Sequence, residues 1–161
     1  MNSPNAYISY FRNLASNHIP SLGFYIMDIN EVLESLRSGI AYPAMILINY
    51  NGNLLLRNAD NPINEVAAGF IIIDHVLEQD DFVSEQIALN NSWERGRRVL
   101  ARMFYEKLKG DEALAGFNLN TVKYEMMGPL FDNDFGFMFT WKVDNYFPVD
   151  FDKSLWLDYA G

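Results

Sequence analysis

The sequence predicts an α+β domain: a mixed or antiparallel sheet of about five to six strands packed against one long helix and two shorter helices, with an extended C-terminal tail. Three observations carry this expectation. Phe135, Phe137, Phe139, Trp141 and Val143 alternate with Gly136, Met138, Thr140 and Lys142, the period-two pattern of a strand whose strongly apolar face needs a partner layer. Ala44 to Tyr50 and Ala68 to Val76 are apolar almost throughout, which marks strands covered on both faces. Phe82 to Lys109 keeps apolar residues at helical spacing along its whole length.

The elements follow in chain order. Ser3-Pro4 reads as an N-cap with proline at the first helical position, and Tyr7, Phe11, Leu14 and Ala15 then share one helical face that stops before Pro20. Phe24 to Met27 reads as a short strand ended by Asp28, whose spacing to Glu31 matches a capping box. Ile29, Val32, Leu33 and Leu36 supply the buried face of a second helix, with Gly39 as its C′ residue. Asn51-Gly52 is a hairpin signal, because a type I′ turn needs two left-handed residues; Leu54 to Arg57 is expected to return antiparallel, before a polar loop from Asn58 to Glu65.

Asp80 and Asp81 open the long helix, and Lys107, Lys109 and Gly110 close it, in keeping with the helix dipole and with termination chemistry. Its expected core face is Leu89, Trp93, Gly96, Leu100, Met103, Phe104 and the stem of Lys107, with Gly96 admitting the close approach of another backbone. Thr121 to Met127 and Phe135 to Val143 form a last pair of strands around Gly128-Pro129 and Asp132-Asn133-Asp134. No internal repeat or linker divides the chain, so residues 1–143 read as a single domain and 144–161 as an aromatic, acidic tail.

At 161 residues one domain can bury a self-sufficient core. A net charge of −9 disfavours nucleic acid as a general partner, because phosphate neutralisation needs clustered Lys and Arg. The chain has no cysteine, which removes disulfides, thiolate nucleophiles and sulfur-ligated zinc. Arg12 is the first basic residue and no apolar leader segment follows it, and the longest uncharged run, Ser38 to Leu56, carries Pro43 and Gly52. Neither a secretory signal nor a membrane span is expected, and the location read from the sequence is a virion or the bacterial cytoplasm.

Motifs that carry chemistry are sparse. Asp134-Phe135-Gly136 spells the magnesium-binding tripeptide of protein kinases without the companion catalytic-loop and glycine-rich motifs. The same stretch fails as a calcium loop, with Gly136 at position five and Val143 at position twelve. Asp74-His75, with Glu78 nearby, is the best general-base candidate, although strand neighbours point to opposite faces. His18 lies in a polar loop at no metal-ligand spacing from His75. No catalytic residue, cofactor or metal is assigned.

Charge is segregated instead. Residues 84–110 hold six of the 12 basic side chains and only three of the 21 acidic ones. Arg95, Arg98 and Arg102 share a face, and Glu94 has the i, i+4 spacing to pair with Arg98. The tail carries Tyr146, Phe147, Phe151, Trp156 and Tyr159 among Asp150, Asp152 and Asp158, an arm able to dock on its own core or on an adjacent copy. These arginines and aromatics are the candidate subunit-interface residues.

The succession of a capped helix followed by Pro43-Ala44-Met45-Ile46-Leu47-Ile48, then Phe70-Ile71-Ile72-Ile73, the long helix from Phe82, and Phe135-Gly136-Phe137-Met138-Phe139-Thr140-Trp141 resembles small ring-forming proteins of phage tails and necks, especially the tail-terminator class. The resemblance implies a non-enzymatic structural subunit that packs into a homo-oligomeric ring and meets neighbouring assembly proteins. The alternative expectation is a small intracellular α+β binding module for a ligand or protein partner. An enzymatic reading, resting on Asp74, His75 and Glu78, comes third.

Overall fold

A computed structural model of the chain describes residues 4–34, 39–48, 51–56, 62–131 and 133–146, with backbone alone at 4, 51, 53–56, 62–64 and 144–146. Three helices and six strands follow in the order α1 (Pro4–Asn17), β1 (Gly23–Met27), α2 (Ile29–Leu33), β2 (Ala44–Ile48), β3 (Asn51–Leu56), β4 (Pro62–His75), α3 (Phe82–Leu108), β5 (Lys123–Leu130) and β6 (Asp134–Tyr146). Two single-turn 3-10 helices, Glu112–Leu114 and Leu119–Thr121, lie between α3 and β5. The expected α+β class is therefore observed. The sheet is mixed: β1 and β2 are parallel, and every other pairing is antiparallel.

The strand order is β1-β2-β4-β6-β5, with β3 also paired to β4. Alternation along β6 sorts its side chains as expected. Phe139, Trp141 and Val143 join the core beneath α1 and α3 with Met45, Leu47, Phe70, Ile72 and Phe11, while Ala44, Ile46, Ile71 and Ile73 pack on the other face with Met27 and Val32. The Phe11 ring stacks on Trp141 at 5.7 Å, and Trp93 of α3 stacks on Phe139 at 5.8 Å. Apolar burial of this kind stabilises by about 1.5–3 kcal/mol per large side chain, so the aromatic face of β6 is a principal anchor of both helices.

Several local expectations need correction. Asn51-Gly52 makes no hairpin: both residues lie inside β3, opposite Ala67 and Val66 of β4. Strands β2 and β3 run in the same direction along one edge of β4, β2 against Phe70–Ile73 and β3 against Pro62–Ala67. Strand β4 is longer than expected and takes up much of the supposed polar loop, because Pro62–Glu65 finds partners on both β3 and β6. The Asp28–Glu31 capping box is present, but α2 ends at Leu33 with Glu34 as its C-cap, so Gly39, at φ 76°, is not its C′ residue. Leu36 and Arg57 lie outside the described residues, as does Ser3, the expected cap of α1. Gly128-Pro129 lies within β5 at a register irregularity between Met127 and Leu130, and Phe131 and Asn133 are turn residues beyond it.

The buried stripe of α3 is also rotated about one position from that expected. Ala88, Ser92, Gly96, Val99 and Met103 face the sheet, while Leu89, Trp93 and Leu100 flank the contact and Phe104 is exposed. Small residues occupy the centre because the helix sits close to the sheet. A Cβ added at Gly96 would collide with the ring of Phe139, a side chain and not the backbone expected.

One break in the sheet is filled from outside it. The register passes from β2 to β3 between Phe70 and Ala67 of β4, and the buried Gly69 lies in that gap. There the Tyr7 hydroxyl donates to the Gly69 carbonyl at 3.1 Å and accepts from the Gly69 N–H at 3.0 Å. A side chain of α1 thus pairs with Gly69 where no described residue of β2 or β3 does, as buried backbone polar groups require.

Two predictions follow. Tyr7→Phe should lower unfolding stability by at least about 2 kcal/mol, since two buried backbone groups lose their partner; the check is the denaturant midpoint. Gly96→Ala should destabilise by about 1–3 kcal/mol through overpacking, despite the gain of about 1 kcal/mol in helix propensity. An unchanged midpoint would show that Phe139 yields freely.

Candidate functional site

Three clusters collect the polar and exposed groups to which a function could be assigned. The first lies at the end of the β4–β6 ladder. Strand alternation sends Asp74 and His75 to opposite faces, as expected. Asp74 accepts from the Arg95 guanidinium at 2.7 Å, and His75 Nδ1 meets the Asp134 carboxylate at 2.8 Å. Asp134 is fully buried and also accepts from the Tyr42 hydroxyl, while the Tyr42 ring stacks on His75 at 5.2 Å. A carboxylate on Nδ1 fixes the imidazole tautomer and leaves Nε2 as the basic nitrogen, the arrangement of a general base. The neighbouring turn adds an Asn133 side chain that donates to the carbonyls of Val76 and Glu78.

The partner of His75 is therefore Asp134, not Asp74 or Glu78. The kinase-like tripeptide drew attention to Asp134, and its role here is to close the end of the sheet and hold Tyr42 against it. A cleft of about 570 Å³ opens nearby between Asp80, Glu85, Pro129, Phe131, Asn133 and Phe135, and His75 is not among its walls. Among the described residues no group of three or more His, Asp or Glu side chains is placed to hold a metal ion.

The second cluster is the basic side of α3. Arg95, Arg98 and Arg102 do share that side, but they differ in use. Arg95 is mostly buried against Asp74, and Arg102 pairs with Glu106 at 2.8 Å. Arg98 is exposed. Glu94 pairs with Arg97 at 2.8 Å and not with Arg98, because the i, i+3 partner reaches it first. Two of the three candidate arginines are thus engaged within the molecule.

Glu106 also ties α3 to α1 by accepting from the Tyr10 hydroxyl at 2.6 Å. Burial, then the hydrogen bond to the Glu106 carboxylate, holds the Tyr10 phenol well above its ordinary range. For Glu106 burial acts to raise the carboxyl, but the hydrogen bonds from Tyr10 and Arg102 outweigh it and the net shift is downward.

The third cluster is the rim between α3 and β5. Tyr124 and Met126 of β5 are 62% and 63% exposed, although they lie on the helix side of the sheet opposite Phe139 and Phe137. Trp93 packs edge-on against Tyr124 at 4.6 Å, and Leu89, Asn90 and Phe137 complete a groove of about 350 Å³. The outward side of α3 carries further apolar groups at its two ends, Val83 and Ile87 at one and Tyr105 and Leu108 at the other. The signal missed in the sequence is the alternation Tyr124, Met126, which matches a buried strand face but here faces solvent because β5 ends the sheet.

Of the tail candidates, Tyr146 is the last described residue of β6, its backbone paired with Ile63. Phe147, Phe151, Trp156 and Tyr159 lie outside the described residues. No described helix is long and apolar enough to cross a membrane. Comparison with protein-family models, curated proteins and solved structures finds no match.

Asp134→Ala should lower stability by about 1–3 kcal/mol, since Tyr42 and His75 lose a buried acceptor; thermal melting checks it. The pH dependence follows from Glu106. Its carboxyl is depressed in the folded state, so the stability it contributes is complete above the ordinary value of 4.5 and is lost as pH falls below it. Glu106→Gln should flatten that acid limb in denaturant titrations across pH.

Proposed function

We propose that the protein is a non-enzymatic structural subunit of a multiprotein assembly, similar in role to the ring-forming tail-terminator and neck proteins of phages, with a virion or the bacterial cytoplasm as its setting. The observation that carries this reading is the outward side of α3. Val83 and Ile87 are 68% and 55% exposed at one end, Tyr105 and Leu108 are 58% and 71% exposed at the other, and Glu94, Arg97 and Arg98 lie between them. Isolated exposed apolar residues are ordinary, but a helix face with apolar ends and a charged centre suits a protein–protein contact, where burial supplies affinity and charge sets orientation. Neighbouring copies of the chain and other assembly proteins are the partners, with no cofactor.

The groove beside Trp93 favours a second reading, a binding module. Its volume of about 350 Å³ falls in the range of small-molecule sites, and its walls are largely aromatic and aliphatic.

Size-exclusion chromatography with light scattering separates the two. An assembly subunit should run above its 18.5 kDa monomer mass at high concentration, and Ile87→Asp or Leu108→Asp should reduce its oligomeric state without lowering its melting temperature. A protein that stays monomeric at every concentration, together with a ligand-dependent rise in melting temperature, would replace the first reading with the second.

A further inference from the structure

Strand β5 ends the sheet: among the described strands it pairs with β6 alone, and residues 123–126 are all exposed. An uncovered edge of this kind is a template for another strand. Its two faces differ in chemistry. Tyr124 and Met126 project on the helix side, where Trp93 holds the Tyr124 ring, while Lys123 and Glu125 project on the opposite side, and neither makes an ion pair among the described residues. The usable edge is short. It ends at the irregularity between Met127 and Leu130, where Pro129 has no N–H to donate.

The geometry points to a second copy of this chain as the occupant, its β5 antiparallel to this one about a two-fold axis at Tyr124. Directly opposed residues in a continuous sheet project from the same face, so a self-pairing must centre on one residue and match like faces. Centred on Glu125 it sets glutamate against glutamate, and centred on Lys123 it sets lysine against lysine. Centred on Met126 it brings Lys123 opposite Pro129 and satisfies neither charge. Centred on Tyr124 it sets each Lys123 opposite Glu125 of the partner subunit, gives two ion pairs, and joins the two tyrosines beside Trp93 of each copy. This seam rests on the reading of the chain as a self-associating subunit and adds to it a specific contact, away from the outward side of α3.

The chain has no cysteine, so single replacements report cleanly. Tyr124→Cys should form a disulfide-linked dimer on mild oxidation, because opposed Cα atoms lie about 4.5–5.5 Å apart, within disulfide reach. Met126→Cys should not, since its copies would sit on the order of 14 Å apart. Lys123→Glu and Glu125→Lys should each weaken dimerisation by about ten-fold, and an equal mixture of the two variants should restore it, because the mixed pair regains both charge matches. Unchanged melting temperatures guard against misfolding at these exposed positions. Self-association that ignores both swaps, or cross-linking no better at Tyr124 than at Met126, overturns the seam while leaving assembly through α3 standing. A strictly monomeric chain overturns both.

Discussion

The register between β4 and β6 is the constraint on which the rest of the structure depends. The ladder runs from Ile63 opposite Tyr146 to His75 opposite Asp134, and it decides which face every side chain of the two central strands presents. A slip of one residue would turn Gly136, Met138, Thr140 and Lys142 toward the helices and the aromatic row toward the other face. Two features hold the register. Gly136 lies so close to Ile72 that a Cβ there would strike its carbonyl, and the buried Asp134 meets His75 across the strands.

Each layer takes its place from that ladder. The row from Phe137 to Val143 offers α1 and α3 an aromatic floor, into which Phe11 and Trp93 pack. On the opposite face Ile71 and Ile73 receive β2 and α2 through Ala44, Ile46 and Val32. Tyr10 and Glu106 then join the two helices above the sheet. Interior polar groups are paired at the sheet's end, while exposed apolar groups gather on α3 and β5. That division, more than any single residue, is the basis of the proposed assembly role.

Much of the fold was legible in the sequence because it depends on short-range pattern. The period-two row of β6, the apolar run of β2 and the Asp28–Glu31 cap each declare themselves within a few residues. What was not legible depends on distant partners. Asn51-Gly52 reads locally as a turn, yet the pair is held extended by Ala67 and Val66. The α3 stripe keeps the expected Gly96 and Met103, but the sheet takes the small Ala88 and Ser92 where the pattern offers Leu89 and Trp93. Strand alternation separates Asp74 from His75, but the carboxylate that His75 does meet, Asp134, lies 59 residues away and only the finished ladder brings the two together. Helical spacing sets the three arginines on one side of α3, but it does not show that Arg95 and Arg102 are engaged by Asp74 and Glu106.

The tyrosine that plugs the gap at Gly69 makes an early-synthesised helix a late arrival. Tyr7 leaves the ribosome well before Gly69, and its bonds to that residue wait until a segment 62 positions further along has been synthesised and aligned. Docking of the N-terminal helix and completion of the central strand's hydrogen bonding are then one event, with the loop-closure cost that long sequence separation brings. The amide proton of Gly69 becomes a natural reporter of that event: its exchange with solvent measures how often the helix lifts away, not how often strands part.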